Sequence, residues 1–162
     1  MPTDIRFKAL NTAHRAVIAI TRGRLGTRFF GMPTLVLTTV GRKSGRPHRV
    51  VLTAPVTDGD AMIVVASRGG DPVDPAWLHN LRAEPSVRVS FRNGPTRPMT
   101  ARELPRGERD RLWPRVVEAQ SGYADYQDKT TRVIPLVMLT PGHAAGNSVD
   151  RSSPGSGRRG HR

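Results

Sequence analysis

Cysteine is absent from the 162-residue sequence, which removes disulfides, thiolate metal sites and cysteine nucleophiles together. Aromatic residues make up only 5%, and they do not interleave with the basic segments as a stacking platform for exposed bases requires. No stretch approaches the roughly 20 uninterrupted apolar residues of a membrane-spanning helix. The amino terminus lacks an apolar block followed by a small-residue cleavage site, so the expected location is the cytoplasm. The histidines, His14, His48, His79, His143 and His161, fall at no metal-ligand spacing, and no metal is expected.

Acidic side chains are also in deficit. Asp and Glu total 13 against 26 Lys and Arg, giving a net charge of +13, and all but three of the cations are arginine. Such a chain attracts polyanions: nucleic acid, anionic lipid, or a phosphorylated and carboxylated coenzyme. The length suits one domain with tails, and 36% apolar with 24% charged residues is a globular balance. Residues 142–162 are small and polar, and read as a disordered basic tail. That tail carries +3 and leaves +10 elsewhere, so the basicity belongs mainly to the folded part.

Residues 1–24 hold a candidate amphipathic helix, in which Phe7, Leu10, Ala13, Val17 and Ile20 recur at helical spacing among Arg6, Lys8, Arg15 and Arg22. Its apolar stripe suits packing on the domain, and its basic face suits peripheral attachment to an anionic membrane. Residues 25–141 read as the domain itself. Thr34–Val40 and His48–Val56 have strand composition around the basic turn Gly41–Pro47. Asp58-Gly59-Asp60 is a tight turn, and Ala61–Ala66 is a short apolar run suited to a buried strand.

Asp74 is placed to cap a short helix over Pro75–Ala83 that buries Trp77, Leu78 and Leu81 and leaves Asn80 as a local hydrogen-bonding anchor. Val87–Phe91 alternates apolar with polar and pairs with Met99–Leu104, and Val133–Leu139 supplies a last strand. Between them Gly107–Gln120 reads as a helix that kinks or restarts at Pro114. About six antiparallel strands with interspersed helices predict an α+β, mainly β, barrel.

Two segments offer chemistry. Arg42, Lys43, Arg46 and Arg49 cluster around Gly41 and Gly45, whose flexibility lets backbone amides face an anion. This is neither a nucleotide P-loop, which opens a helix, nor a nucleophile elbow. In Ala66-Ser-Arg-Gly-Gly70 a strand ends in a hydroxyl, a cation and two glycines, a second anion-receiving edge. Two such edges suit one long anionic ligand.

At Leu37-Thr-Thr-Val-Gly-Arg-Lys-Ser-Gly45, Ala66-Ser-Arg-Gly-Gly70, Pro75-Ala-Trp-Leu-His-Asn-Leu81 with Pro85, Tyr123-Ala-Asp-Tyr-Gln127 and Arg132-Val-Ile-Pro-Leu136, the sequence resembles the deazaflavin (F420)-dependent nitroreductases. These are a branch of the flavin and deazaflavin oxidoreductases with a split β-barrel fold, and the resemblance spans roughly residues 24–141. It implies coenzyme F420, with flavin mononucleotide as the alternative ligand, and a hydride passed from the reduced coenzyme to a quinone or nitroaromatic acceptor. It further implies that Arg42 and Lys43 contact the coenzyme phosphate, with Ser44, Gly45, His48 and Arg49 in the same segment. Ala66, Ser67, Arg68 and Gly69 would line the edge near the deazaflavin. Tyr123 and Tyr126 would border the acceptor, Tyr126 being the first candidate proton donor. His48 stands where the family often has Arg, and Gln120 where a prodrug-activating relative has Tyr. A basic nucleic-acid-binding barrel and a non-catalytic flavin- or deazaflavin-binding barrel are the alternatives, although no specific nucleic-acid signature is present. The residues set no oligomeric state.

Overall fold

In a computed structural model, which describes residues 28–29, 31–91 and 94–142, the strands form where their side-chain pattern demands two buried faces or one. Strand β5 (Ala61–Val65) is apolar throughout because Met62 and Val64 enter one core while Ile63 and Val65 enter another. Strand β6 (Ser86–Ser90) alternates, with Val87 and Val89 buried and Ser86 and Arg88 exposed, as a strand with one wet face should. The remaining strands are β1 (Arg28–Phe29), β2 (Met32–Val40), β3 (Pro47–Thr53), β4 (Val56–Asp58), β7 (Arg97–Glu103) and β8 (Leu136–Pro141).

All pairings are antiparallel, in the order β1-β2-β6-β7-β8-β5-β4, and β3 pairs with the other side of β2. Only Ala54 and Pro55 separate β3 from β4, so one bent run of chain pairs first with β2 and then with β5. The sheet thereby curls back towards its own start. Six strands carry most of the ladder as expected, and the short β1 and β4 are added to them. The strand expected over His48–Val56 ends at Thr53 because the chain changes partners there.

Inside the curl, Leu35, Leu37, Val64, Val89, Val137 and Leu139 pack with Trp77, Leu78 and Leu81 of helix α1 (Ala76–Ala83). Leu78 is fully buried, and truncating such a side chain to alanine costs about 2–5 kcal/mol. On the outer face of β5 and β8, Ile63, Val65 and Leu136 pack against Val116 of helix α2 (Arg106–Ala119) and Tyr123 of helix α3 (Gly122–Asp128).

Four local expectations shift. The N-cap of α1 is Pro75 without a side-chain cap, and Asp74 instead pairs with Arg82 at 2.9 Å and Arg132 at 3.0 Å. Helix α2 continues through Pro114 with no restart. The acceptor that Pro114 leaves without an amide is the carbonyl of exposed Asp110, which water can satisfy. The final strand begins at Leu136 rather than Val133, since the Ile134 amide donates to the Gln127 side chain and Pro135 has none to offer a ladder. Asn80 is buried and bonds residues about forty positions away. The expected helix over residues 4–22 lies outside the described residues, as do residues 143–162 of the tail; no described helix is long and apolar enough to cross a membrane.

Candidate active site

The β2–β3 connection crosses over at Gly41–Arg46, with Gly45 at φ +66°, a left-handed backbone that glycine adopts without penalty. Its amides are mostly committed: Gly41 N–H donates to Arg46 O at 2.8 Å, Gly45 N–H to Gly41 O at 2.7 Å, and Arg46 N–H to Ser44 Oγ at 3.2 Å. Arg42 N–H donates to Asn80 Oδ1 at 3.2 Å, while Asn80 Nδ2 donates to buried Thr39 Oγ1 at 3.2 Å. Helix α1 therefore grips the loop at its base. Among the described residues the Lys43 and Ser44 amides have no protein partner, and Arg42, Lys43, Arg46, His48 and Arg49 are all exposed.

A Cβ on Gly41 would lie 2.6 Å from Ser44 Oγ and 2.7 Å from His48 Cδ2, so both side chains fold in against that glycine. His48 sits opposite Thr39 and Arg49 opposite Thr38. Strand alternation sends them to opposite faces, and His48 shares the face of the loop mouth while Arg49 does not.

The second edge follows β5. Ala66 is core and Ser67 is buried, and Arg68, Gly69 and Gly70 all have positive φ, at 47°, 68° and 83°. A left-handed conformation at a residue with a side chain costs roughly 1–2 kcal/mol, and such strain marks functional segments. Arg68 is paired with Asp71 at 3.8 Å. Gly70 abuts α3: a Cβ there would lie 2.7 Å from Tyr126 O and 2.9 Å from Lys129 Cβ.

On α3, Tyr123 and Tyr126 stack edge to face with centroids 6.1 Å apart. The Tyr123 hydroxyl hydrogen-bonds Thr53 Oγ1 at 2.9 Å, and burial pushes its phenol above the ordinary tyrosine range, against a smaller opposing effect of that bond. Thr34, opposite Thr53 in the ladder, is buried with its hydroxyl unpartnered. Tyr126 is half-buried, with Lys129 Nζ 5.4 Å from its ring centroid. Gln120 accepts Gly122 N–H at 3.3 Å and closes the start of this helix.

The structure thus gathers Tyr123, Tyr126, Thr53 and the Ser67–Gly70 edge, and sets the basic loop apart from them. Pro47 and Thr53 bound β3, six residues apart, which is roughly 20 Å at the usual rise. Sequence reasoning missed Thr53, Gln127 and Arg132 as structural partners of the site. The last two lie in the quoted blocks Tyr123–Gln127 and Arg132–Leu136, but their contacts are long-range.

The chain matches the F420H2-dependent quinone reductase family over residues 11–141. It belongs to that family. An F420H2-dependent quinone reductase of Mycobacterium tuberculosis (strain ATCC 25618 / H37Rv) is 43% identical over 132 residues, 78% of this chain and 87% of the relative. A solved F420H2-dependent reductase, FDR-A, is 41% identical with a TM-score of 0.59, covering 67% of this chain and 94% of its own. Another solved structure, described as a domain-swapped dimer, is 36% identical with a TM-score of 0.60, covering 79% of this chain and 99% of its own. This member of the quinone reductase family is an oxidoreductase of split-barrel fold, and its coenzyme is F420. The residues present fit that group: exposed cations and two uncommitted amides for a phosphate, and a strained, glycine-bearing edge beside tyrosines for a ring.

Proposed function

We propose that this chain reduces a quinone-type acceptor by hydride transfer, holding the anionic arm of F420 at Arg42, Lys43, Ser44, Gly45 and His48 and its ring beside Ala66, Ser67, Arg68 and Gly69. The observation that carries the reading is the placement of the cationic loop and the tyrosine pair at opposite ends of β3, a spacing matched to one elongated anionic ligand. Arg49 contributes long-range attraction from the other face. Bound reduced F420 supplies a hydride, and a deazaflavin favours that two-electron route.

The protein's own residues bind, orient and manage the proton. Reduction of a quinone to a hydroquinone consumes one hydride and one proton, and we assign that proton to Tyr126, whose half-buried position on α3 supports the reading. Tyr123 is buried, tied to Thr53 and held un-ionised, which suits orienting the acceptor or Tyr126 rather than trading protons with solvent. Nitroaromatics are the second acceptor class, since they also take hydride and proton.

Fluorescence titration with oxidised and reduced F420 and with flavin mononucleotide, followed by a turnover screen of quinones and nitroaromatics, tests the reading. Preferential F420 binding and quinone turnover are expected. Equal affinity for flavin mononucleotide, or equal competition by DNA at physiological salt, overturns it. Residues 4–22 suit packing on the domain first and attachment to an anionic membrane second, and liposome co-sedimentation with and without them separates the two; binding that is lost with those residues and at high salt supports attachment, and no binding supports packing.

A further inference from the structure

We propose that Arg132 is a positioning residue that locks the Ser67–Gly70 edge to the tyrosine-bearing helix α3 and so sets the spacing between coenzyme and acceptor. The inference rests on the reading above that this edge borders the coenzyme.

Arg132 is fastened from both directions. Its backbone carbonyl accepts Gln127 Nε2 at 2.8 Å, which ties its main chain to the end of α3. Its guanidinium points the other way, donating from Nε to Asp71 O at 2.7 Å and from Nη2 to Ser67 O at 2.8 Å and Ala66 O at 3.1 Å. Nη1 meets Asp74 Oδ1 at 3.0 Å. One side chain therefore holds carbonyls from both sides of the strained Arg68–Gly70 turn.

Within the turn Gly70 N–H donates to Ser67 O at 2.9 Å, Asp71 N–H to Arg68 O at 3.3 Å, and Arg68 pairs with Asp71 at 3.8 Å. Gly70 already lies so close to the Tyr126 backbone that a methyl group would collide with it. Gly70 packs directly on α3, and the Arg132 contacts hold the residues on either side of it.

Lysine cannot replace this. Its three donors radiate from one nitrogen, whereas the guanidinium fork spreads its donors over three carbonyls and a carboxylate. Arg132→Lys keeps the charge and most of the volume, and removes the geometry. Because an error of about 1 Å in reacting geometry costs on the order of a hundredfold in rate, the variant is expected to lose about tenfold or more in kcat with a soluble quinone. Its coenzyme Kd should change less than its kcat.

Val87→Ala, a core truncation in β6, is the stability control and should keep kcat within about twofold. A kcat for Arg132→Lys within about twofold of the parent, or a fall matched by Val87→Ala at equal loss of melting temperature, overturns the proposal. Asp74→Asn, which weakens one arm of the grip and retains a hydrogen-bond acceptor, should lower kcat in the same direction by less. If Arg132→Lys does not fold, an unchanged kcat in Asp74→Asn overturns the proposal. Ser67→Val and Arg68→Gln separate the two levels of argument. If neither weakens F420 binding, the edge is not a coenzyme edge; if both do while Arg132→Lys keeps its kcat, the positioning role alone fails.

Discussion

Asn80→Ala should damage stability and coenzyme binding together, for separable reasons. The substitution removes the donor to Thr39 Oγ1, in a residue only 1% exposed, and the acceptor for the Arg42 amide in the exposed loop. A buried hydroxyl left unpaired costs about 1–3 kcal/mol and a lost bond at a solvated amide about 0.5–1.5 kcal/mol, roughly 2–4 kcal/mol in all. At about 2–4 °C per kcal/mol for a chain of this size, the melting temperature should fall on the order of 10 °C. Binding is affected through the loop. Freeing even one residue's backbone adds about 1–2 kcal/mol of ordering cost, so F420 affinity should weaken roughly 5- to 30-fold. Thermal melts and fluorescence titration at fixed salt measure the two effects. Thr39→Val provides the contrast, since it removes the buried bond and leaves the Arg42 tether, so it should lose stability with F420 Kd unchanged. An Asn80→Ala protein that is destabilised but binds F420 like the parent refutes the tether, as does a Thr39→Val protein that binds equally poorly.

Charge reversal at both exposed cations, Arg42→Glu with Lys43→Glu, should abolish F420 binding and leave the melting temperature within a few degrees; retained binding would place the phosphate elsewhere. Tyr126→Phe should lower turnover by about tenfold or more with stability intact, and a steady-state rate equal to the parent's would remove it as donor. Tyr123 carries an alkaline signature. Its raised phenol means that the folded chain holds that proton more tightly than the unfolded one, so stability should fall as pH rises above about 10. Urea melts should show Tyr123→Phe losing less stability over that range, and identical alkaline losses would contradict the assignment.

The legible parts of the fold were those in which neighbours in sequence share a face. Ala61–Val65 is apolar at every position because both its faces are covered, and Val87 and Val89 alternate with Ser86 and Arg88 because only one is. Trp77, Leu78 and Leu81 mark the buried side of α1 by spacing alone. Asp74 shows where local reading stops. Its position before Pro75 permits a cap, but Arg82 and Arg132, the latter 58 residues away, offer charged partners that a cap does not match. The break between β3 and β4 is similarly a property of partner strands, since apolar and β-branched residues run from Val50 to Val56, Pro55 apart, through the point where β2 gives way to β5.

The arginines bring the same division to the site. Their number predicted attraction to anions without saying which of them remain available for it. Arg82 is held by Asp74 and Glu103, Arg102 by Glu108 and Arg106 by Asp110, while Arg109 and Arg132 are turned inward onto backbone carbonyls. Among the described residues Arg42, Lys43, Arg46 and Arg49 have no acidic partner, and the first three crowd one turn while Arg49 follows on β3. Crowded like charges disfavour the compact loop in the absence of an anion. What holds them together is uncharged: the cross-bonds between Gly41, Ser44, Gly45 and Arg46, and the Asn80 contact from α1. If this loop holds the coenzyme phosphate as proposed, the phosphate would meet cations already assembled, and its binding would relieve a repulsion that the neutral scaffold resists. Net charge supplies the attraction, and the buried amide of Asn80, invisible to any charge count, makes it local.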